Sequence, residues 1–125
     1  MAYTIRDIVE RTGITAYTLR YYEKEGVLPA VDRDTNGVRQ FNDHYIECVE
    51  TVQALRSTGL PLSEIKQYVE LYKRGDRTLD LRKTMLFTQK SKVEEQLTRM
   101  IKMLEKINYK LALIDAQENK FDRLP

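Results

Sequence analysis

The chain holds 125 residues, 42% hydrophobic and 32% charged, with a formal net charge of +2; that is the composition of one folded, helix-rich domain, not of a disordered or fibrous chain. One cysteine and one histidine exclude an intramolecular disulfide, a cysteine-cluster metal site and His-pair zinc motifs. With no GxGxxG, phosphate loop or nucleophile elbow, the sequence offers no catalytic, cofactor or metal-binding residues.

Thr4 precedes IRDIVERTG. Threonine at an N-cap with Asp7 three positions on reads as a capping box, with an aspartate one methylene shorter than the usual glutamate. Ile5, Ile8 and Val9 form a narrow apolar stripe, and Gly13 stops the helix. Ile14 leads into Thr15, a second N-cap, and a second short helix runs from there to Glu25. Two short helices across a tight glycine turn make a helix-turn-helix, whose second helix enters the major groove.

On a 3.6-residue wheel this second helix is two-sided. Ala16, Leu19, Tyr22 and Glu23 share one side. Tyr17, Tyr21 and Lys24 lie opposite, flanked by Thr18 and Arg20. An ordinary outer face would carry flexible Glu and Lys. Tyrosines, a threonine and an arginine instead bond phosphates, read base edges and lay rings on sugars. Thr15, Tyr17, Thr18, Arg20, Tyr21 and Lys24 are the candidate DNA contacts; the alternative is that the tyrosines pack on a neighbouring element.

Gly26 closes the helix as a C′ residue. VLPAVDRDTNGVRQF follows. Asn36-Gly37 predicts a tight hairpin turn between strands at Val31–Arg33 and Val38–Phe41. Such a wing lies on flanking backbone or minor groove, with Arg33 and Arg39 toward phosphate, or it is a structural hairpin with two solvated arginines. Asn42 caps the next helix, DHYIECVETVQALRSTG, which turns Tyr45, Ile46, Val49, Val52 and Leu55 to the core. Cys48 beside that stripe reads as a small core hydrophobe, with a sensing role as the alternative, and His44 in the first turn as incidental.

Pro61 opens a further helix, LSEIKQYVELYKRG, with Leu62, Ile65, Val69 and Tyr72 inward and Gly75 at its end. This second helix pair could serve as another backbone-contacting wing. From about Thr78 to about Asp115 there is no Gly, no Pro and no turn cluster, which predicts one helix of roughly 55 Å. Val93, Leu97, Met100, Leu104, Ile107, Leu111 and Ile114 alternate steps of four and three, a heptad seam that needs a partner helix. Ile101, Met103 and Leu113 widen the apolar face. The tail Gln117–Pro125 either docks or stays loose. No apolar run could span a bilayer and no charged-then-apolar leader is present, so the chain is expected in the cytoplasm with no membrane partner.

Bulk charge does not favour nucleic acid. Residues 1–60 carry seven Lys and Arg against nine Asp and Glu, and residues 61–125 fourteen against ten. The placement of particular cations must carry the reading.

The order helix-turn-helix, hairpin, helix pair, long helix resembles the MerR family of winged helix-turn-helix transcriptional regulators. TLRYYEKEGVLP and NGVRQF are similar to that family's recognition helix and first wing. The resemblance implies a mainly helical fold: residues 1–75 a DNA-binding winged head, residues 76–125 a dimerisation helix paired antiparallel, with a short tail. It implies a homodimer on a dyad within an overlong promoter spacer, bending and untwisting that DNA so that RNA polymerase engages both promoter elements. Thr15, Tyr17, Thr18, Arg20, Tyr21, Arg39 and Lys66 would then touch DNA.

The departures from the family bear on the trigger. Metal-sensing members place cysteines around Arg77–Asp80 and Ala116–Pro125, where this chain has none. One electrophile-sensing branch places a lone cysteine where Ala54 stands, a couple of turns beyond Cys48. Drug-binding members add a large C-terminal domain, which is not expected here. The competing reading from another class is a coiled-coil adaptor with a degenerate head. An RNA binder lacks its sheet of exposed aromatics, and an enzyme lacks a third group to orient one Cys and one His.

Overall fold

The computed structural model describes the backbone of residues 2–123 and the side chains of residues 2–119. Capping chemistry sets the first boundaries. Helix α1 spans Ile5–Thr12. The Thr4 hydroxyl accepts from the Asp7 N–H at 3.2 Å, and Asp7 accepts from the Thr4 N–H at 2.9 Å, so the short aspartate does close the capping box. Gly13 ends the helix, its N–H bonding the Val9 carbonyl. Helix α2 spans Ala16–Lys24 and is capped by Thr15, whose hydroxyl accepts from the Thr18 N–H. Gly26 follows at φ +79°, a left-handed turn that a β-branched or bulky residue would strain.

Strands β1 (Asp32–Arg33) and β2 (Arg39–Gln40) pair antiparallel, Asp32 opposite Gln40 and Arg33 opposite Arg39. They are shorter than the sequence suggests, and Val31 and Val38 lie outside them. The turn also differs. Asn36 keeps a negative φ and only Gly37, at +80°, is left-handed, so this is not the two-residue turn that Asn-Gly favours. Asp34 takes control of it: one carboxylate oxygen accepts from the N–H groups of Asn36 and Val38 at 2.8 and 2.9 Å. Past β2, Phe41 bridges back to Tyr3 through two backbone hydrogen bonds.

Helix α3 spans Asp43–Ser57, capped by Asn42, and α4 spans Leu62–Lys73. The core of the head gathers Ile8, Leu19, Val27, Phe41, Tyr45, Val49, Val52 and Ile65, every one with almost no exposed surface. Tyr72 is not part of it. Its ring is half exposed and lies 5.3 Å beneath the Arg82 guanidinium, because the chain after α4 turns sharply. A single 3₁₀ turn, Asp76–Thr78, makes that corner. The Thr78 hydroxyl, buried there, donates to the Leu71 carbonyl at 2.6 Å.

Helix α5 spans Leu79–Arg123, 45 residues and roughly 68 Å. It outruns the expected end at Asp115. Nothing between Gln117 and Arg123 stops a helix, and Pro125, the first breaker, lies outside the described residues. The chain divides into compact units at Met1–Met85 and Leu86–Pro125, ten residues later than the sequence division at residue 75. In the second unit every seam residue from Val93 to Ile114 is exposed, as are Ile101, Met103 and Leu113.

Candidate nucleic-acid interface

The two sides of α2 separate as the wheel predicts. Leu19 is fully buried, with Ala16, Tyr22 and Glu23 half-buried beside it. Tyr17 is 77% exposed and Tyr21 47% exposed, and Arg20 and Lys24 are exposed between them. Among the described residues, Tyr17, Arg20 and Lys24 have no hydrogen-bonding or ion-pair partner. The Tyr21 ring lies 6.2 Å from that of Tyr22, tilted at 48° to it. The alternative of tyrosines packed on a neighbouring element does not fit a Tyr17 so exposed.

At the N-terminal end, Thr15 is occupied. It caps the helix and donates its own proton to the Thr18 hydroxyl oxygen at 3.0 Å. Thr18 thereby keeps a proton to give outward, and is the better placed of the two to meet a phosphate or base acceptor. At the other end, Lys66 of α4 joins the group. A β-carbon added at Gly26 would lie 3.7 Å from its Cε, so the ammonium sits beside the close of α2.

The wing arginines are placed differently. Arg33 donates to the Gly37 carbonyl at 2.7 Å, staying exposed while bracing the turn. Arg39, expected to face phosphate, instead turns inward. Its guanidinium pairs with the Glu23 carboxylate, the two side chains only 27% and 22% exposed, and lies over the Phe41 ring at 4.9 Å. The Tyr45 hydroxyl donates to the same Glu23 oxygen at 2.7 Å. Burial, and then that bond, push the Tyr45 hydroxyl pKa far above its ordinary value, so it stays a donor. Sequence reasoning missed this cluster. Its signal was Glu23 itself, a carboxylate on the Leu19 side of the wheel, which must find a partner.

Local pairing also bears on the charge balance. Asp7 serves a cap, Glu10 pairs with Arg6, Glu23 with Arg39, Asp34 holds the turn and Asp43 accepts from the Tyr3 hydroxyl. These five acidic residues are engaged locally, while among the described residues Arg20, Lys24 and Lys66 stand unpaired. A near-neutral head thus presents a cationic, aromatic face, suited to bidentate arginine contact, point-charge phosphate contact and ring-to-sugar packing.

Cys48 lies apart from that face, in a groove of about 290 Å³ between α3 and α4 lined also by Val27, Pro29, His44, Tyr68 and Tyr72. Its sulfur is 3.6 Å from His44 Nε2. Burial first, and Glu47 second, raise the thiol pKa, which keeps it protonated and a poor nucleophile. Among the described residues no three His, Cys, Asp or Glu converge as a metal site, and no helix is long and apolar enough to cross a membrane.

Comparison with known proteins agrees with this geometry. Residues 3–71 match the family model described as MerR HTH family regulatory protein, and residues 47–109 match one described as MerR, DNA binding. An uncharacterized HTH-type transcriptional regulator of Haemophilus influenzae is 39% identical over 112 residues, 90% of this chain and 83% of that one. The regulator AdhR of Bacillus subtilis is 34% identical over 91 residues, 73% of this chain and 65% of its own. Among solved structures, HiNmlR, a MerR family regulator lacking the sensor domain and bound to promoter DNA, superimposes with a TM-score of 0.77 at 37% identity, over 95% of this chain and 94% of its own. A MerR family regulator from Listeria monocytogenes superimposes with a TM-score of 0.82 at 29% identity, over 96% and 95%.

Proposed function

This chain belongs to the MerR HTH family and is a DNA-binding transcriptional regulator, not an enzyme; from that premise we propose that it binds a promoter dyad as a homodimer and remodels the spacer DNA between the promoter elements. Each protomer sets α2 into a major groove. Thr18, Arg20 and Tyr21 meet bases or tightly held phosphates, Tyr17 and Lys24 the backbone beside them. Thr15 contributes through the helix N-terminus it caps. Arg33 at the wing and Lys66 of α4 touch flanking phosphate. RNA polymerase is engaged indirectly, through the reshaped promoter, in the cytoplasm.

The observation that carries this reading is the exposed face of α2, where, among the described residues, the side chains of Arg20, Lys24 and Tyr17 stand without partners. The similar regulator HiNmlR is bound to promoter DNA, which supports the same ligand class. Pairing is supported by the seam from Val93 to Ile114, an apolar line exposed in the single chain that a second helix would bury. A head alone offers one short helix and one small wing, too little surface for high specificity. Two joined heads add their contacts at high effective concentration.

Footprinting of the full chain on DNA upstream of its own and neighbouring coding regions tests this. The expected result is a two-fold symmetric protected region inside a long spacer, with gel migration of the complex that varies as the site is permuted along the fragment. Protection that vanishes with excess non-specific DNA, at every such region, would refute it.

A further inference from the structure

The Glu23 carboxylate is the point where three elements meet. One of its oxygens receives the Arg39 guanidinium from β2 and the Tyr45 hydroxyl from α3, while its backbone belongs to α2. The hairpin has little else to hold it. Its strands pair over only two residues each, both residues of β1 are exposed, and Val38 at its turn is 54% exposed. Beyond the Tyr3–Phe41 bridge, the buried Phe41 ring, which meets Tyr45 at 4.8 Å, and Val31 packed against the core beside β1, what ties the hairpin directly to α2 is the Arg39–Glu23 bond.

We propose that Glu23 is a positioning residue that locks the wing to the DNA-reading helix, and that Arg39 is the strut it holds and not a phosphate contact. A charge-assisted hydrogen bond between two part-buried groups has the strength and direction for this. The Arg39 charge is engaged by Glu23 and the Phe41 ring, so its release to a phosphate would strand a carboxylate beside a buried tyrosine. Wing and α2 then meet the duplex as one rigid piece, and their fixed spacing selects sites whose groove and backbone match it. The inference rests on the proposed binding of a promoter dyad, and deepens it by assigning what sets the geometry of reading.

Fluorescence anisotropy of the full-length wild type, Glu23→Gln, Arg39→Gln and the double variant, on dyad and scrambled duplexes over a salt series, tests it together with amide exchange of the free proteins. Each single variant should lower the ratio of dyad to scrambled affinity about tenfold, and the double variant no further, as coupled partners do. Arg39→Gln should keep the wild-type salt slope, whereas Arg20→Gln lowers it by about 0.9 if it loses one phosphate. Exchange should quicken across residues 31–41 in each single variant, with Val49 and Val52 protected as before. A slope reduced by about 0.9 in Arg39→Gln, additive losses, or unchanged exchange in the wing would overturn the proposal. Failure of the dyad reading looks different: the wild type itself would not distinguish the two duplexes, and exchange in the wing would then decide the strut alone.

Discussion

Replacing Leu97 and Leu104 with Asp should separate the dimer and abolish specific DNA binding while leaving the head folded. In the single chain these side chains are 57% and 58% exposed, so pairing can bury a little over half of each. Full burial of a leucine contributes about 1.5–3 kcal/mol, so two positions on each of two protomers hold about 3–7 kcal/mol. Losing that weakens dimerisation by about two to five orders of magnitude. The carboxylates add a desolvation cost of their own. The buried cluster of the head ends, in sequence, at Ile65, far from both positions, so α1 to α4 should melt as in the wild type. Sedimentation equilibrium gives the mass of each protein, and footprinting on the same samples shows how many half-sites it protects. A wild type that sediments as a monomer, or a monomeric variant that still protects both half-sites, would show that the seam has another task.

Three smaller tests follow from the head. Cys48→Ala should keep DNA affinity within about twofold, and Cys48 should alkylate more slowly than a free thiol because its raised pKa lowers the thiolate fraction; a variant that binds normally yet loses induction by thiol-reactive compounds would contradict this. The Thr4 N–H and hydroxyl hold the Asp7 carboxyl below its ordinary range. A depressed native pKa gives stability that is complete above the unfolded value near about pH 4 and is lost as pH falls through the native one. Asp7→Asn should therefore flatten the fall of the melting temperature in acid, and an unchanged acid limb would remove Asp7 from that role. Ile65→Ala, at a fully buried position of α4, should cost about 2–5 kcal/mol in urea unfolding, and a cost under about 1 kcal/mol would mean that the core closes over the gap.

What the sequence made legible was local. Thr4 with Asp7, Thr15 and Asn42 are caps whose chemistry lies within three residues, and the structure uses all of them. Gly13 and Gly26 end their helices where read, and the exposed side of α2 follows from a period of 3.6. The long helix was legible because nothing breaks it, but its end was not: a helix needs no seam to continue, and Gln117–Arg123 continues it. Partnership across distance was not legible. Nothing in the spacing of Arg39 says that it turns to Glu23, sixteen residues earlier, and a lone bridge such as Tyr3–Phe41 has no period to detect. Asn36-Gly37 pointed to one turn type, yet Asp34, with an oxygen placed to receive two amides, dictated another.

The most direct test of the reading face is equilibrium binding of Arg20→Ala and Tyr21→Ala to a duplex carrying the dyad, with circular dichroism melts run alongside. The geometry of α2 predicts that each loses about 1–3 kcal/mol of specific affinity while its melting curve stays that of the wild type. Wild-type affinity in both variants, with the fold intact, would remove α2 from the groove.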